Sequence, residues 1–127
     1  MFTVTKTMEI AAAHSLKLPY ESKCTNLHGH NWFITVHVRA SKLDANGMVI
    51  DFSHIKNAIH KKLDHKNIND VMKVNTTAEN IAYWCCREIN AILQRDVSVG
   101  GIEREAICFA VEVWESSNNY ARFDIED

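Results

Sequence analysis

The chain has 127 residues, of which 46% are hydrophobic and 24% charged, and its formal net charge is −2 at pH 7. This length and balance predict one globular domain over residues 1–127 and argue against a disordered protein. A slightly acidic chain without a basic run is not typical of a dedicated nucleic-acid-binding protein. No segment approaches the roughly 18 apolar residues of a membrane span, and the first residues lack the features of a signal peptide. We therefore expect a cytoplasmic protein with no nucleic-acid or membrane partner.

Two alternating segments predict the first two strands. Between residues 2 and 12, apolar and polar side chains alternate, and His14 continues the apolar parity. Residues 29–40 alternate in the same way, with His28 and His30 on the parity of Trp32. The three histidines are therefore expected at the end of a buried sheet face, where a bound metal would be partly shielded from water.

The next segment predicts a helix. Asn46-Gly47 indicates a turn, after which Asp51 can cap a helix that ends near Asp64-His65. The apolar residues recur at helical spacing: Phe52, Ile55, Ile59 and Leu63.

A second helix is predicted to start at Thr76, which forms a capping-box pattern with Glu79, and to stop at Gly100-Gly101. Residues 105–115 alternate again, and a short strand is expected around 120–125. The apolar face of the third strand is predicted to carry Ile107, Phe109, Val111 and Val113. This order of elements predicts an α+β fold, a four-stranded antiparallel sheet with two helices on one face.

The His28-Gly29-His30 run predicts a metal site. In extended backbone, His28 and His30 point to the same side, and His14 supplies a third imidazole. Three protein ligands with one open position are typical of catalytic zinc. The alternative is three unrelated histidines. The other histidines that we considered are expected to be solvated at the surface: His37, His54 and His60.

The four cysteines are predicted to have different roles. Cys85 and Cys86 are adjacent in a helical segment, and Cys108 lies in a strand pattern, so we interpret all three as small buried apolar residues rather than disulfide partners. Cys24 lies in a polar loop beside the predicted ligands, where a cation would favour the reactive thiolate. The alternative for Cys24 is an incidental loop cysteine.

Several motifs occur in an order that resembles one known family. They are Ala-Ala-His at 12–14, Cys-x-x-x-His-Gly-His at 24–30, Val-Ile-Asp-Phe-x-x-Ile-Lys at 49–56, Leu-Asp-His at 63–65, Thr-Ala-Glu-Asn at 77–80 and Trp-Glu-Ser at 114–116. Over nearly its whole length the chain resembles the 6-pyruvoyltetrahydropterin synthase and 6-carboxytetrahydropterin synthase family. The three residues between Cys24 and His28 resemble the bacterial carboxytetrahydropterin branch of queuosine biosynthesis.

The resemblance implies a fold, an assembly and a reaction. The fold would be the tunnelling fold, and the chain would form a homo-oligomer, a trimer or a dimer of trimers. Zinc bound to His14, His28 and His30 would serve a carbon-carbon lyase. This enzyme would convert 7,8-dihydroneopterin triphosphate to 6-carboxytetrahydropterin, releasing acetaldehyde and triphosphate.

The resemblance also implies roles for individual residues. Cys24 would remove a proton from the substrate carbon beside the pterin ring, and Asp64 with His65 would form an acid/base pair. Glu115 would bind the amino-pyrimidine edge of the pterin, and Thr77 would lie beside it. Glu112 competes with Glu115 for the pterin, but its strand parity favours solvent or a neighbouring subunit.

Non-catalytic interpretations remain for some of these residues. A histidine near a helix C-terminus can simply interact with the helix dipole, and Asp64 can be a surface charge.

Three lysines near the motifs are candidates to bind the triphosphate: Lys17, Lys23 and Lys66.

Two other functions stay open. A pyruvoyltetrahydropterin synthase would use the same ligands and eliminate triphosphate without cleaving the side chain. A non-catalytic pterin- or metal-binding module would keep the fold but would not need Cys24, Asp64 and His65 together.

Overall fold

The chain folds as one four-stranded sheet covered by helices on one face. A computed structural model describes residues 1–100 and 105–126, with side chains in all of these except 96–100. The strands are β1 (Phe2–His14), β2 (His28–Ala40), β3 (Ile107–Trp114) and β4 (Tyr120–Asp124). They are ordered β1-β2-β3-β4, and every neighbouring pair is antiparallel. The predicted fold class is confirmed.

Four helices follow β2 in the described part of the chain. They are α1 (Phe52–Ala58), α2 (His60–Leu63), α3 (Ile68–Val71) and α4 (Ala78–Gly100). The prediction of one helix from Asp51 to Asp64 was wrong in its continuity, because the backbone departs from regular helix at Ile59, with φ −112° and ψ −63°. The apolar spacing identified the buried face for three of its four residues, since Ile55, Ile59 and Leu63 are fully buried. Phe52, at the first position of α1, is 47% exposed, so its predicted burial was wrong. Helix α3 was not predicted.

The N-terminus of α4 corrects a second prediction. The cap is Thr77, whose Oγ1 accepts a hydrogen bond from the N–H of Asn80 at 3.2 Å. Thr76 was predicted to cap the helix with Glu79, but Thr76 is fully buried and its side chain lies against His14. The capping-box prediction was therefore wrong by one residue. At the other end, α4 reaches Gly100, and Gly101 lies outside the described residues.

A β-bulge in β3 corrects the predicted parity of that strand. Val38 pairs with Cys108 while its neighbour His37 pairs with Ala110, so Phe109 is an extra residue. Cys108 is fully buried on the helix side of the sheet. Phe109 lies on the opposite face, where its ring is near the His37 ring and the Arg39 guanidinium. Of the four residues predicted to share the apolar face of β3, only Val111 and Val113 lie on the helix side, because the extra residue of the bulge reverses the alternation of side chains before it.

The core lies between the sheet and the helices. Both long strands turn alternate residues into it, among them Ile10, Ile34 and Val36, and α4 supplies Ile81 and Ile89. The cysteines predicted to be buried are buried, and all four thiols are free. No helix among the described residues is long and apolar enough to cross a membrane.

The sheet face away from the helices carries a polar network that the sequence analysis missed. His37 was predicted to be solvated, but it is half-buried, with Nδ1 3.0 Å from Thr5 Oγ1 and Nε2 2.7 Å from Glu112 Oε2. Glu112 also lies 3.4 Å from Arg122. These contacts cross from β1 to β4, and only strand pairing could bring them together. His54 is exposed, as predicted.

Candidate metal centre and active site

Strand register brings the three predicted metal ligands together. His14 is directly opposite His28 at the end of the β1–β2 ladder, and Ala12 is opposite His30. Opposed side chains in an antiparallel pair lie about 5 Å apart, so His14 meets both residues of the His-x-His pair on the helix side of the sheet. The ring centroids are 4.6 Å apart for His14 and His28, 5.3 Å for His14 and His30, and 4.9 Å for His28 and His30.

Backbone carbonyls orient two of these imidazoles. His14 Nδ1 donates to the carbonyl oxygen of Thr76 at 2.7 Å, and His28 Nδ1 donates to that of Asn26 at 2.7 Å. A carbonyl oxygen can only accept, so both Nδ1 atoms carry the proton and both Nε2 atoms are free to bind a metal. Nε2 of His14 is buried and has no hydrogen-bond partner. One nitrogen from each of the three histidines lies within 4.8 Å of the others.

Trp32 lies beside this cluster. Its ring packs edge-on against His14 and His30, at centroid distances of 4.8 and 4.9 Å, and its Nε1 donates to the carbonyl oxygen of Ala12 at 3.1 Å. Trp32 is 1% exposed, so it excludes water from one side of the cluster. Sequence reasoning placed Trp32 in the core but did not identify this contact.

Burial lowers the pKa of two of the three histidines, His14 and His30. The pKa of His14 is lowered mainly by desolvation and further by His28 and His30, against the raising effects of the Thr76 carbonyl and Glu115. The pKa of His30 is lowered by desolvation and by His28, and Glu115 again opposes the shift. A metal binds the neutral form of imidazole, so the lowered pKa values of His14 and His30 favour metal binding at neutral pH.

The Asp64-His65 pair is attached to the free edge of β1. The N–H of His65 donates to Ala11 O at 2.7 Å, and the N–H of Ala13 donates to Lys66 O at 3.0 Å. Asp64 Oδ1 accepts from the N–H of Ala11 at 3.0 Å. These bonds extend the sheet by a short parallel segment, so the pair lies beside the strand end that carries His14.

The two side chains of the pair are placed differently. Asp64 is 21% exposed, and His65 is 82% exposed with Nε2 3.5 Å from Asp64 Oδ2. His60, predicted to be a solvated surface residue, has Nε2 3.6 Å from the same oxygen and is 28% exposed. His65 has φ 57°, a left-handed conformation that costs a non-glycine residue about 1 kcal/mol or more. The backbone bond to Ala11 holds it there, which fixes where the imidazole leaves the chain.

An open cleft of about 530 Å³ lies where residues 65–67 meet β1. It is lined by residues 11–13 of β1, residues 29–31 of β2 and residues 65–67. His30 and His65 are among its lining residues, whereas His14 and His28 are not.

The remaining predicted residues lie on adjoining segments. Cys24 is a half-buried free thiol in a 3-10 helix (Lys23–Thr25), and its carbonyl accepts from the N–H of Leu16 at 2.7 Å. Glu115 directly follows β3 and is half-buried, close enough to act electrostatically on His14 and His30. The Thr77 hydroxyl caps α4. The catalytic role of Cys24 and the pterin contacts of Glu115 and Thr77 stay predictions.

Sequence reasoning missed the residues that support the ligands. Thr76 is 62 positions from His14, and no local pattern links them. Asn26 is two positions before His28, and that short separation was the one available signal for its contact.

The fold and the site together define an α+β protein with a candidate three-histidine metal centre beside an Asp-His pair. The chain belongs to the 6-pyruvoyl tetrahydropterin synthase family, whose model matches residues 3–126.

Individual relatives agree with this assignment. The chain is 33% identical over 126 residues to the 6-carboxy-5,6,7,8-tetrahydropterin synthase of Bacillus subtilis (strain 168), covering 94% of this chain and 82% of that protein. It is 36% identical over 91 residues to the dihydroneopterin monophosphate aldolase of Pyrococcus furiosus, covering 69% of this chain and 75% of that protein. The 6-pyruvoyl tetrahydropterin synthase of Caenorhabditis elegans has the same fold, with a TM-score of 0.72 at 22% identity, covering 98% of this chain and 96% of that chain.

Proposed function

We propose that the protein is a zinc-dependent 6-carboxy-5,6,7,8-tetrahydropterin synthase. It would convert 7,8-dihydroneopterin triphosphate to 6-carboxytetrahydropterin, with release of acetaldehyde and triphosphate, in queuosine biosynthesis. The observation that carries the proposal is the converging nitrogen set of His14, His28 and His30. That set lies in a chain 33% identical to a synthase of this name over 94% of its length.

The residues present fit a zinc ion. Nε2 of His14 is a buried nitrogen without a partner, a costly arrangement that a bound cation would relieve. The carbonyls of Thr76 and Asn26 hold His14 and His28 in the tautomer that a metal requires. Three imidazoles leave one position open for substrate oxygen. When bound there, zinc would supply Lewis-acid polarisation of a substrate hydroxyl.

The chain's own groups would move the protons. Cys24 is assigned as the base that removes a proton from the carbon beside the pterin ring. His65 is assigned as the second acid/base group, with Asp64 orienting its ring. The fixed backbone of His65 and the bond from Ala11 to Asp64 support this assignment, because both groups start from defined positions.

Glu115 is assigned to bind the pterin. A carboxylate can accept two parallel hydrogen bonds from the amino-pyrimidine edge, which selects this ring against others. Its position after β3, close to His14 and His30, supports a pterin held with its side chain toward the metal. Thr77 is assigned to the same pterin pocket.

Product analysis tests the proposal directly. Zinc-loaded protein is incubated with dihydroneopterin triphosphate, and the pterin product and acetaldehyde are measured by mass spectrometry. We expect 6-carboxytetrahydropterin and acetaldehyde in equal amounts, and a loss of about 100- to 10,000-fold in rate for Cys24→Ala at unchanged zinc content. A pyruvoyl product without acetaldehyde assigns the protein to the other branch. Binding without turnover identifies a non-catalytic module.

A second candidate rests on the relative from Pyrococcus furiosus. Its name, dihydroneopterin monophosphate aldolase, attaches the activity to a monophosphate, and that relative is 36% identical over 91 residues. The same incubation with dihydroneopterin monophosphate separates the two candidates. A kcat/KM for the monophosphate above that for the triphosphate favours the aldolase.

A further inference from the structure

We propose that Asn69 and Asn75 are positioning residues, which hold the backbone of Cys24 in place through the segment that follows β1. The effect on catalysis rests on the proposed function, because that function assigns Cys24 as the base. The connection runs from the two asparagine side chains to the backbone of residues 15–17, and from there to Cys24. Neither asparagine is assigned to the metal or to the substrate.

Each asparagine binds both backbone groups of one residue. Asn69 Oδ1 accepts from the N–H of Ser15 at 2.9 Å, and Asn69 Nδ2 donates to Ser15 O at 3.0 Å. Asn75 binds Lys17 in the same way, at distances of 2.8 and 2.9 Å. An asparagine amide offers an acceptor and a donor, as a peptide group does, so it can take the place of a neighbouring strand. Two hydrogen bonds at each residue fix both the position and the direction of the segment.

The residue between these two points to the other side. The N–H of Leu16 donates to Cys24 O at 2.7 Å. In extended backbone, the hydrogen-bonding groups of successive residues point in opposite directions, so Ser15 and Lys17 bind one neighbour while Leu16 binds the other. Residues 15–17 therefore connect the asparagines to Cys24, beyond the point where β1 ends.

The two asparagines are themselves held by their surroundings. Asn69 lies in α3, and its N–H donates to Asn67 Oδ1 at 3.0 Å. The carbonyl of Asn75 accepts from the N–H of Thr77 at 2.9 Å and from Asn80 Nδ2 at 2.8 Å, which attaches Asn75 to the start of α4. The short helix α3 thus carries one of the two side chains that hold the segment after β1.

Cys24 is bound at both of its backbone groups. Its N–H donates to Ser22 Oγ at 3.1 Å, and its carbonyl accepts from Leu16. The thiol is half-buried and free. Two residues further along, the Asn26 carbonyl orients the ring of His28. A base must stay within hydrogen-bond reach of the proton that it removes, so a fixed backbone at Cys24 favours turnover.

Asn75→Ala is the sharpest test of this inference. Lys17 lies three positions after His14, and the Asn69 contacts remain, so the metal ligand should keep its place. In the zinc-loaded variant, we expect kcat for dihydroneopterin triphosphate to fall about 10- to 100-fold, as for a displaced reacting group. KM and zinc content should stay within about twofold of the parent. The matched control is Asn57→Ala, at an exposed asparagine of α1, which should behave like the parent.

Two further measurements separate positioning from a general loss of structure. In a double-mutant cycle, Asn75→Ala should not lower the residual turnover of Cys24→Ala, because both changes act through the same group. Hydrogen exchange of the Leu16 amide, followed by mass spectrometry at single-amide resolution, should become about 5- to 100-fold faster in Asn75→Ala, the range for two lost hydrogen bonds. Asn69→Ala repeats this measurement at the other asparagine if Asn75→Ala does not fold.

Three results overturn the inference while the proposed function stands. The first is an unchanged kcat in Asn75→Ala, and the second is unchanged exchange of the Leu16 amide. The third is a fall in kcat that comes with loss of zinc, or that is equally large in the Cys24→Ala background, because the effect would then lie at another group. A parent protein without turnover removes the proposed function and the catalytic part of the inference, and the exchange of Leu16 then decides whether the asparagines hold the segment that binds Cys24.

Discussion

At the residue scale, His14 has two ring nitrogens in opposite situations. Nδ1 donates to a backbone carbonyl, while Nε2 is buried without a partner. A buried nitrogen without a hydrogen-bond partner lowers the stability of the fold by roughly 1–3 kcal/mol. An apolar side chain at the same core position would not carry this cost. A cation bound as proposed would give Nε2 a partner, and the roles of the other two proposed ligands can then be tested by mutation.

Loss of a residue that only hydrogen-bonds to a metal ligand lowers metal affinity about 10- to 100-fold, and loss of the ligand itself should lower it further. His28→Ala is therefore predicted to lower zinc affinity by more than about 100-fold. Turnover should fall with it. Metal analysis of the purified variant after dialysis checks this, with the exposed His54→Ala as the control. Stoichiometric zinc in a folded His28→Ala protein would contradict the ligand set.

Glu115→Gln is predicted to weaken pterin binding about 10- to 100-fold and to leave zinc in place, because the amide keeps the shape but cannot accept two charged hydrogen bonds. Calorimetric titration with dihydroneopterin measures the effect. Glu112→Gln is the comparison, since Glu112 pairs with His37 on the other face of the sheet. Equal affinities for Glu115→Gln and the parent would remove the pterin role.

At the element scale, two helix ends determine how the site is built. Residues 64–67, which follow α2, attach to the edge of β1 through the bonds of Ala11 and Ala13. The start of α4 presents the Thr76 carbonyl to His14, and the next residue, Thr77, caps the helix. The cap and the ligand contact are one residue apart, so the helix start also holds a metal ligand in position.

Thr77→Ala is predicted to destabilise the protein by about 1 kcal/mol, the usual cost of losing an N-cap, while Thr77→Ser should keep most of the stability. Urea unfolding monitored by circular dichroism checks both variants. A Thr77→Ala protein as stable as the parent would mean that Thr77 does not cap α4.

At the scale of the whole molecule, the lowered histidine pKa values link the site to folding. His14 and His30 bind protons less readily in the folded chain than in the unfolded chain. The unfolded state therefore binds more protons below pH about 6.5, and stability decreases as the pH falls from there through the lowered folded pKa values. Above that window the contribution is fully present.

The metal-free protein is predicted to lose stability as the pH falls below about 6.5, and His30→Gln should lose less, because that variant lacks one of the two groups with a lowered pKa. Urea unfolding at several pH values measures both proteins. A parent slope no steeper than that of His30→Gln would show that His30 does not contribute to the pH dependence.

The fold class and the common location of the three candidate ligands could be predicted from local pattern. Alternation in β1 and β2 placed all three histidines on the apolar parity of their strands, and apolar spacing identified most of the buried face of α1 and α2. Both signals are local, because the side-chain periods of 2.0 and 3.6 are set by backbone geometry. Local pattern was less able to locate interruptions. The backbone changes direction at the helix break at Ile59 and at the β-bulge at Phe109, but the amino-acid composition of these segments does not change there.

The sequence by itself determined which residues could bind a metal and which faces are buried. Only the tertiary structure decided that His14 lies opposite His28, that the Thr76 carbonyl fixes its tautomer, and that residues 64–67 join the edge of β1. Register, carbonyl direction and edge pairing depend on contacts between residues up to 62 positions apart. Such contacts arise when the whole core packs, so they have no counterpart in local periodicity.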